Sequence, residues 1–142
     1  MLLIPAIDLK NGRCVRLLQG EADAETVYSD DPASMARSFE DAGAKRLHLV
    51  DLDGAFHGKG SNLASIRSIL KTISIPVQLG GGLRNFEKIE QMFDLGVSAV
   101  IVGTMAVKNP DILEEVIHYF SGEKVILGID ARNRKISIEG WQ

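Results

Sequence analysis

Residues 77–104 read VQLGGGLRNFEKIEQMFDLGVSAVIVGT, one complete strand–helix–strand unit. Val77–Leu79, after Pro76, is a short apolar run that ends in Gly80-Gly81-Gly82. Asn85 is a helix-capping residue type, and Phe86, Ile89, Met92 and Phe93 follow at helical spacing until Gly96 stops the helix. Ala99–Val102 is apolar again and ends in Gly103-Thr104. Two buried-type strands with a helix between them, in roughly 30 residues, make a βα unit that joins parallel neighbours.

The same pattern extends in both directions. Upstream, Leu47–Leu52 is a strand, and Leu63, Ile66, Ile69, Leu70 and Ile73 line one face of a helix. Before that, Asp31-Pro32 opens a helix that carries Ala33, Met35, Ala36, Phe39 and Ala42 and ends at Gly43. The N-terminal run Leu2–Leu9 is a strand in which Pro5 removes a ladder donor, so a local irregularity is expected there. Asn11-Gly12 turns the chain into a second extended piece, Cys14–Leu18, because a type I′ hairpin needs two residues at positive φ. Downstream, Asn109-Pro110 opens a helix with Leu113, Val116, Ile117 and Phe120 inward, Val125–Ile129 is a fifth strand, and Lys135–Ile138 is a short extended piece. A weak internal repeat relates Ala42–Val50 to Leu95–Val102. The expectation is an α/β fold in one domain spanning residues 1–142, a parallel sheet with helices outside it.

Composition narrows the function. With 142 residues, 45% hydrophobic and 25% charged, the chain suits a globular domain rather than a disordered tail or a fibre. The net charge of −3 and the lack of a basic cluster argue against a nucleic-acid partner. No apolar stretch reaches about 18 residues, so no membrane span is expected. The single cysteine, Cys14, reads as a small buried residue, and with no visible signal peptide the expected compartment is the cytoplasm. No CxxC, HExxH or Walker pattern occurs, so neither a metal nor a nucleotide cofactor is expected.

Polar residues recur where the strands end. The first strand ends in Asp8, the second in Asp51 and Asp53, the third in the glycine triplet, the fourth in Gly103-Thr104 and the fifth in Asp130 and Arg132. Carboxylates are depleted in strands, and the carboxyl edge of a parallel sheet is where α/β folds carry their active sites. Gly81, Gly82, Gly103 and Thr104, on neighbouring strands, would offer amides and a hydroxyl as a phosphate cradle. In Leu47-His48-Leu49-Val50-Asp51, alternation sets His48 opposite Asp51, toward the helices, which reads as a structural histidine. His57 falls in Gly54–Gly60, read as a mobile loop, and His118 as a surface residue.

Ile4-Pro5-Ala6-Ile7-Asp8-Leu9, Val50-Asp51-Leu52-Asp53-Gly54-Ala55, Gly80-Gly81-Gly82-Leu83-Arg84, Val102-Gly103-Thr104 and Gly128-Ile129-Asp130-Ala131-Arg132, in that order, resemble the sugar isomerases of histidine biosynthesis, the ProFAR isomerase family. The resemblance spans the whole chain and implies a (βα)₈ TIM barrel, of which the first four βα units and strand 5 are present. It also implies a cofactor-free Amadori rearrangement of a small substrate with a phosphate at each end, with Asp8 as proton acceptor and Asp130 as proton donor. Arg16, Asp51 and Trp141 are implied as further substrate contacts. Glu139 stands where the family often carries a basic residue, and Gly58-Lys59-Gly60 departs from a frequent Gly-Lys-Pro. Two readings follow: an isomerase that works in a complete barrel, or an inert half-barrel that binds phosphate or self-associates through its open edges.

Overall fold

The computed structural model describes residues 1–18, 21–57, 62–132 and 135–137. The chain opens with β1 (Ala6–Lys10), β2 (Arg13–Leu18) and β3 (Glu21–Ser29), followed by α1 (Pro32–Asp41) and β4 (Leu47–Asp51). Then come α2 (Leu52–His57), α3 (Leu63–Thr72), β5 (Val77–Gly80), α4 (Phe86–Leu95) and β6 (Ala99–Val102). The last part holds α5 (Thr104–Lys108), α6 (Pro110–Phe120), a 3₁₀ turn (Gly122–Lys124), β7 (Val125–Leu127), β8 (Asp130–Arg132) and β9 (Lys135–Ser137). The sheet order is β3-β2-β1-β4-β5-β6-β7, with β8–β9 as a separate ribbon. β1, β4, β5, β6 and β7 are parallel, β2 pairs antiparallel with the other side of β1, and β3 pairs antiparallel with β2.

Local chemistry accounts for the elements. Asn11 (φ 50) and Gly12 (φ 77) form the positive-φ turn that returns β2 against β1. Asp31 caps α1 by accepting from the Ser34 amide, and Asn85 caps α4 by accepting from Lys88. Gly43 (φ +95) and Gly96 (φ +106) end their helices in the left-handed region, so the repeat seen in the sequence is a repeated helix stop before a strand.

One face of the sheet carries Ile7, Leu9, Leu47, Leu49, Leu79 and Val100, all buried against Ile66 and Ile69 of α3 and Ile89 and Met92 of α4. Each such aliphatic side chain contributes about 1.5–3 kcal/mol on burial. The opposite face carries Ala6, His48 and Gln78 in one register row, and Asp8, Val50 and Gly80 in the next. The helices therefore cover one face, and Asp8, His48 and Gln78 stand on the other.

Several expectations change. Pro5 lies just before β1, not inside it, and its carbonyl accepts from the His48 amide, so no ladder bond is lost. β3, rich in alanine and acid, was not expected; it holds because Glu25 pairs with Lys10 at 2.7 Å and the strand needs only one neighbour. Residues up to His57 form α2, so that part of the expected mobile loop is helical. Residues 58–61 lie outside the described set. Ile117 is 38% exposed, not inward, because α6 packs at the free end of the sheet and only Val116 is fully covered. The fifth strand stops at Leu127, and Asp130 begins the separate ribbon, paired with Ser137.

Candidate active site

Asp8 is the central residue of β1, which runs on to Lys10 rather than ending at Asp8 as expected. It stands half-buried on the uncovered face, level with Val50 near the end of β4. Burial raises its carboxyl above the ordinary Asp value, and His48 opposes part of that rise. His48 is on this same face, since it shares a register row with Ala6 and Gln78. The expectation that it points toward the helices is therefore corrected. Burial lowers its pKa below the usual value, with Asp8 pulling the other way. Its Nδ1 lies 3.1 Å from Gln78 Nε2, and Gln78 Oε1 accepts from Arg46 Nη1 at 3.4 Å. A line of polar groups, Arg46–Gln78–His48, thus runs toward Asp8.

Arg16 and Asp8 both line a cavity of about 360 Å³, together with Val15, Tyr28 and Phe39. This cavity opens where β2 leaves β1, because their pairing runs from Asp8–Val15 to Lys10–Arg13. Cys14 borders it, and burial, with Asp31 nearby, pushes its thiol up to about 11. A thiol that stays protonated at neutral pH is a poor nucleophile.

Asp51 belongs to the other side. It shares a face with Leu47 and Leu49, is 4% exposed, and its Oδ1 accepts from the Gly54 amide at 3.0 Å and from Asn62 Nδ2 at 2.6 Å. Burial and these donors give Asp51 a scaffold role at the end of β4. Asn62, fully buried, also donates to Asp53 Oδ2 and to the Leu9 carbonyl, and accepts from the Gly12 amide at 2.8 Å. Asp53 Oδ2 accepts from the Asn11 amide at 2.7 Å. These bonds pin the β1–β2 turn to the end of β4.

The glycines at the strand ends are packed as well as positioned. A Cβ on Gly81 (φ +98) would lie 2.2 Å from the Asp51 carbonyl oxygen, and one on Gly82 (φ +69) would lie 2.5 Å from the Gly54 backbone. Gly103 lies against the Gly128 carbonyl, where a Cβ would come within 3.2 Å. Thr104 follows at the start of α5 and lines a small cavity of about 70 Å³ with Arg84, Met105, Lys108 and Asn109. Gly81, Gly82, Gly103 and Thr104 thus follow neighbouring strands at one edge of the sheet, with Arg84 and Lys108 beside Thr104. The Asp130 side chain and Trp141 lie outside what is described. Among the described residues, no group of three or more His, Cys, Asp and Glu side chains comes together that could hold a metal, and no helix is long and apolar enough to cross a membrane.

Gly81→Ala is expected to be far more damaging than Gly43→Ala. Both glycines have left-handed φ, a strain of about 1–3 kcal/mol for other residues. Nothing lies within 4 Å of a Cβ at Gly43, whereas the one at Gly81 meets backbone that cannot move aside. Urea denaturation of the two variants checks this, and equal losses would show that φ alone matters at Gly81.

The profile of the histidine biosynthesis protein family matches residues 2–142. The chain belongs to that family. Its five parallel strands are accordingly part of the (βα)₈ barrel of the family, left open here. The chain is 57% identical over 99% of its length to the 1-(5-phosphoribosyl)-5-((5-phosphoribosylamino)methylideneamino)imidazole-4-carboxamide isomerase of Burkholderia vietnamiensis. It is 56% identical over 99% of its length to the isomerase of the same name from Delftia acidovorans, and 51% over 100% to that from Desulforudis audaxviator. It spans 57%, 58% and 54% of these three relatives, little more than half of each.

Proposed function

We propose that this chain is the N-terminal part of a single-domain barrel that carries out a cofactor-free aldose–ketose isomerisation, an Amadori rearrangement, on the bis-phosphorylated substrate named in its relatives. The observation that carries this reading is the half-buried Asp8, with its raised pKa, on the uncovered face at the carboxyl edge of the parallel sheet. A donor protonates the ribose ring oxygen and the ring opens to a Schiff base. A base then takes the proton from C2, and the resulting enolamine becomes the ketone as C1 gains a proton. Asp8 is assigned as the base and Asp130 as the acid, each worth roughly 10²–10⁴ in rate. The test is turnover of that substrate by the full-length polypeptide in buffer free of metals and cofactors; no ketose product would refute the reading.

The backbone at Gly81, Gly82, Gly103 and Thr104 is proposed to hold one substrate phosphate. Inorganic phosphate titrated into ¹⁵N-labelled protein is expected to shift these four amides. Shifts absent at tens of millimolar, an affinity of only about 3 kcal/mol, would refute the cradle.

The chain taken alone is proposed to self-associate in the cytoplasm. The expected open edge at the first strand is covered by β2 and β3, which leaves β7 as the unpaired parallel edge. Leu127 (50% exposed) and Ile129 (68%) beside it, with Leu2 (58%) and Leu3 (71%) ahead of β1, leave apolar surface. Light scattering is expected to give a mass above 15.5 kDa, and a monodisperse 15.5 kDa species would end this part of the proposal.

A further inference from the structure

We propose that Arg46 and Gln78 are positioning residues that hold His48 as a neutral imidazole protonated on Nε2, so that the face beside Asp8 offers a hydrogen-bond donor to an oxygen of the bound sugar. The identity of the ligand rests on the isomerase reading; the state of the imidazole does not.

The argument is a count of donors. A guanidinium has only N–H groups and no acceptor. Arg46 Nη1 lies 3.4 Å from Gln78 Oε1, so the carbonyl side of the amide is turned toward Arg46. The NH₂ side then faces His48, with Nε2 3.1 Å from Nδ1. An amide nitrogen donates and does not accept, so Nδ1 must supply a lone pair. The one proton of the neutral ring is left on Nε2.

Protonating Nδ1 would bring two donors face to face, so the relay opposes the imidazolium. Burial of the ring acts in the same direction. Among the described residues, Asp8 on β1 favours the cation, and Arg46 reaches the ring through Gln78 on β5, whose amide it orients. The consequence for Asp8 is specific. An imidazolium beside it would lower its pKa and hold the carboxylate in an ion pair, whereas a neutral ring leaves the carboxylate free to take a proton. The geometry thus separates two tasks on one face, a base at Asp8 and an uncharged donor at His48.

The first test is a long-range ¹H–¹⁵N correlation spectrum of the His48 ring in the labelled protein near neutral pH. Nδ1 is expected to be unprotonated and Nε2 protonated. In Gln78→Glu, whose side chain only accepts, the proton is expected to move onto Nδ1. An Nδ1–H tautomer or a cationic ring in the unaltered protein overturns the proposal, as does a folded Gln78→Glu variant with an unchanged ring. The unaltered protein decides the question even if that variant does not fold. In the full-length polypeptide, His48→Phe is expected to lower kcat/KM about 10–100-fold, and unchanged kcat/KM overturns the donor role. An Nε2–H ring in a full-length polypeptide without isomerase activity would uphold the tautomer and refute the functional reading instead.

Discussion

Asp8→Asn in the full-length polypeptide lowers kcat by at least about 10²-fold while KM stays within a few-fold, and Asp130→Asn does the same. An amide keeps the size and polarity of the carboxyl but cannot exchange the proton that the rearrangement needs. The pH dependence separates the two assignments. A base works only when deprotonated, and burial holds the Asp8 carboxyl above its ordinary value. The acid limb of kcat/KM is therefore expected above the pH at which an ordinary Asp titrates, and it should disappear in the asparagine variant. Stability moves the other way. A carboxyl whose pKa is raised by folding favours the folded state below its unfolded pKa, and that contribution is lost as pH rises through the folded pKa. At neutral pH the charged Asp8 thus opposes folding, and Asp8→Asn is expected to raise Tm there while removing activity. A variant that keeps more than about a tenth of kcat, or that is less stable at pH 7 than the parent, would contradict the role given to Asp8.

How much of this was legible in the sequence depends on which forces set each feature. The strand–helix–strand order could be read because apolar spacing, Asn and Asp caps and stop glycines all act locally. Gly96 and Asn85 do in space what their types suggest. The face of His48 could not be read from alternation alone. Alternation says that His48 and Asp51 oppose each other, not which of them meets the helices. The deciding signal was in the same stretch: Leu47 and Leu49 share the parity of Asp51, and two leucines belong in the layer between sheet and helices. Asp51 then goes inside with them and needs Asn62 to be tolerated there. That partner is distant in sequence, so no local pattern announces it. β3 escaped for a related reason, because an acidic, alanine-rich segment has little intrinsic strand preference and gains it only from β2 and Lys10.

Asn62→Ala is the substitution expected to cost the most stability outside the apolar core. Asn62 is fully buried, and its single amide group joins four others: the Gly12 amide, the Leu9 carbonyl and the carboxylates of Asp51 and Asp53. Alanine leaves all four with one partner fewer, and two of them are buried charges. Losing a partner of a buried charge costs about 3–5 kcal/mol, and a neutral orphaned group about 1–3 kcal/mol. A typical domain has only about 5–15 kcal/mol in total, so the loss should be a large fraction of the whole. It should appear in urea unfolding as a lower midpoint at unchanged slope. Asn62→Asp separates charge from packing, since it keeps the shape but adds a third carboxylate where Nδ2 had donated to two. It is expected to be worse than alanine at pH 7. A loss under about 1 kcal/mol for Asn62→Ala would mean that the two carboxylates find other donors, and that the turn at Asn11-Gly12 does not depend on this amide.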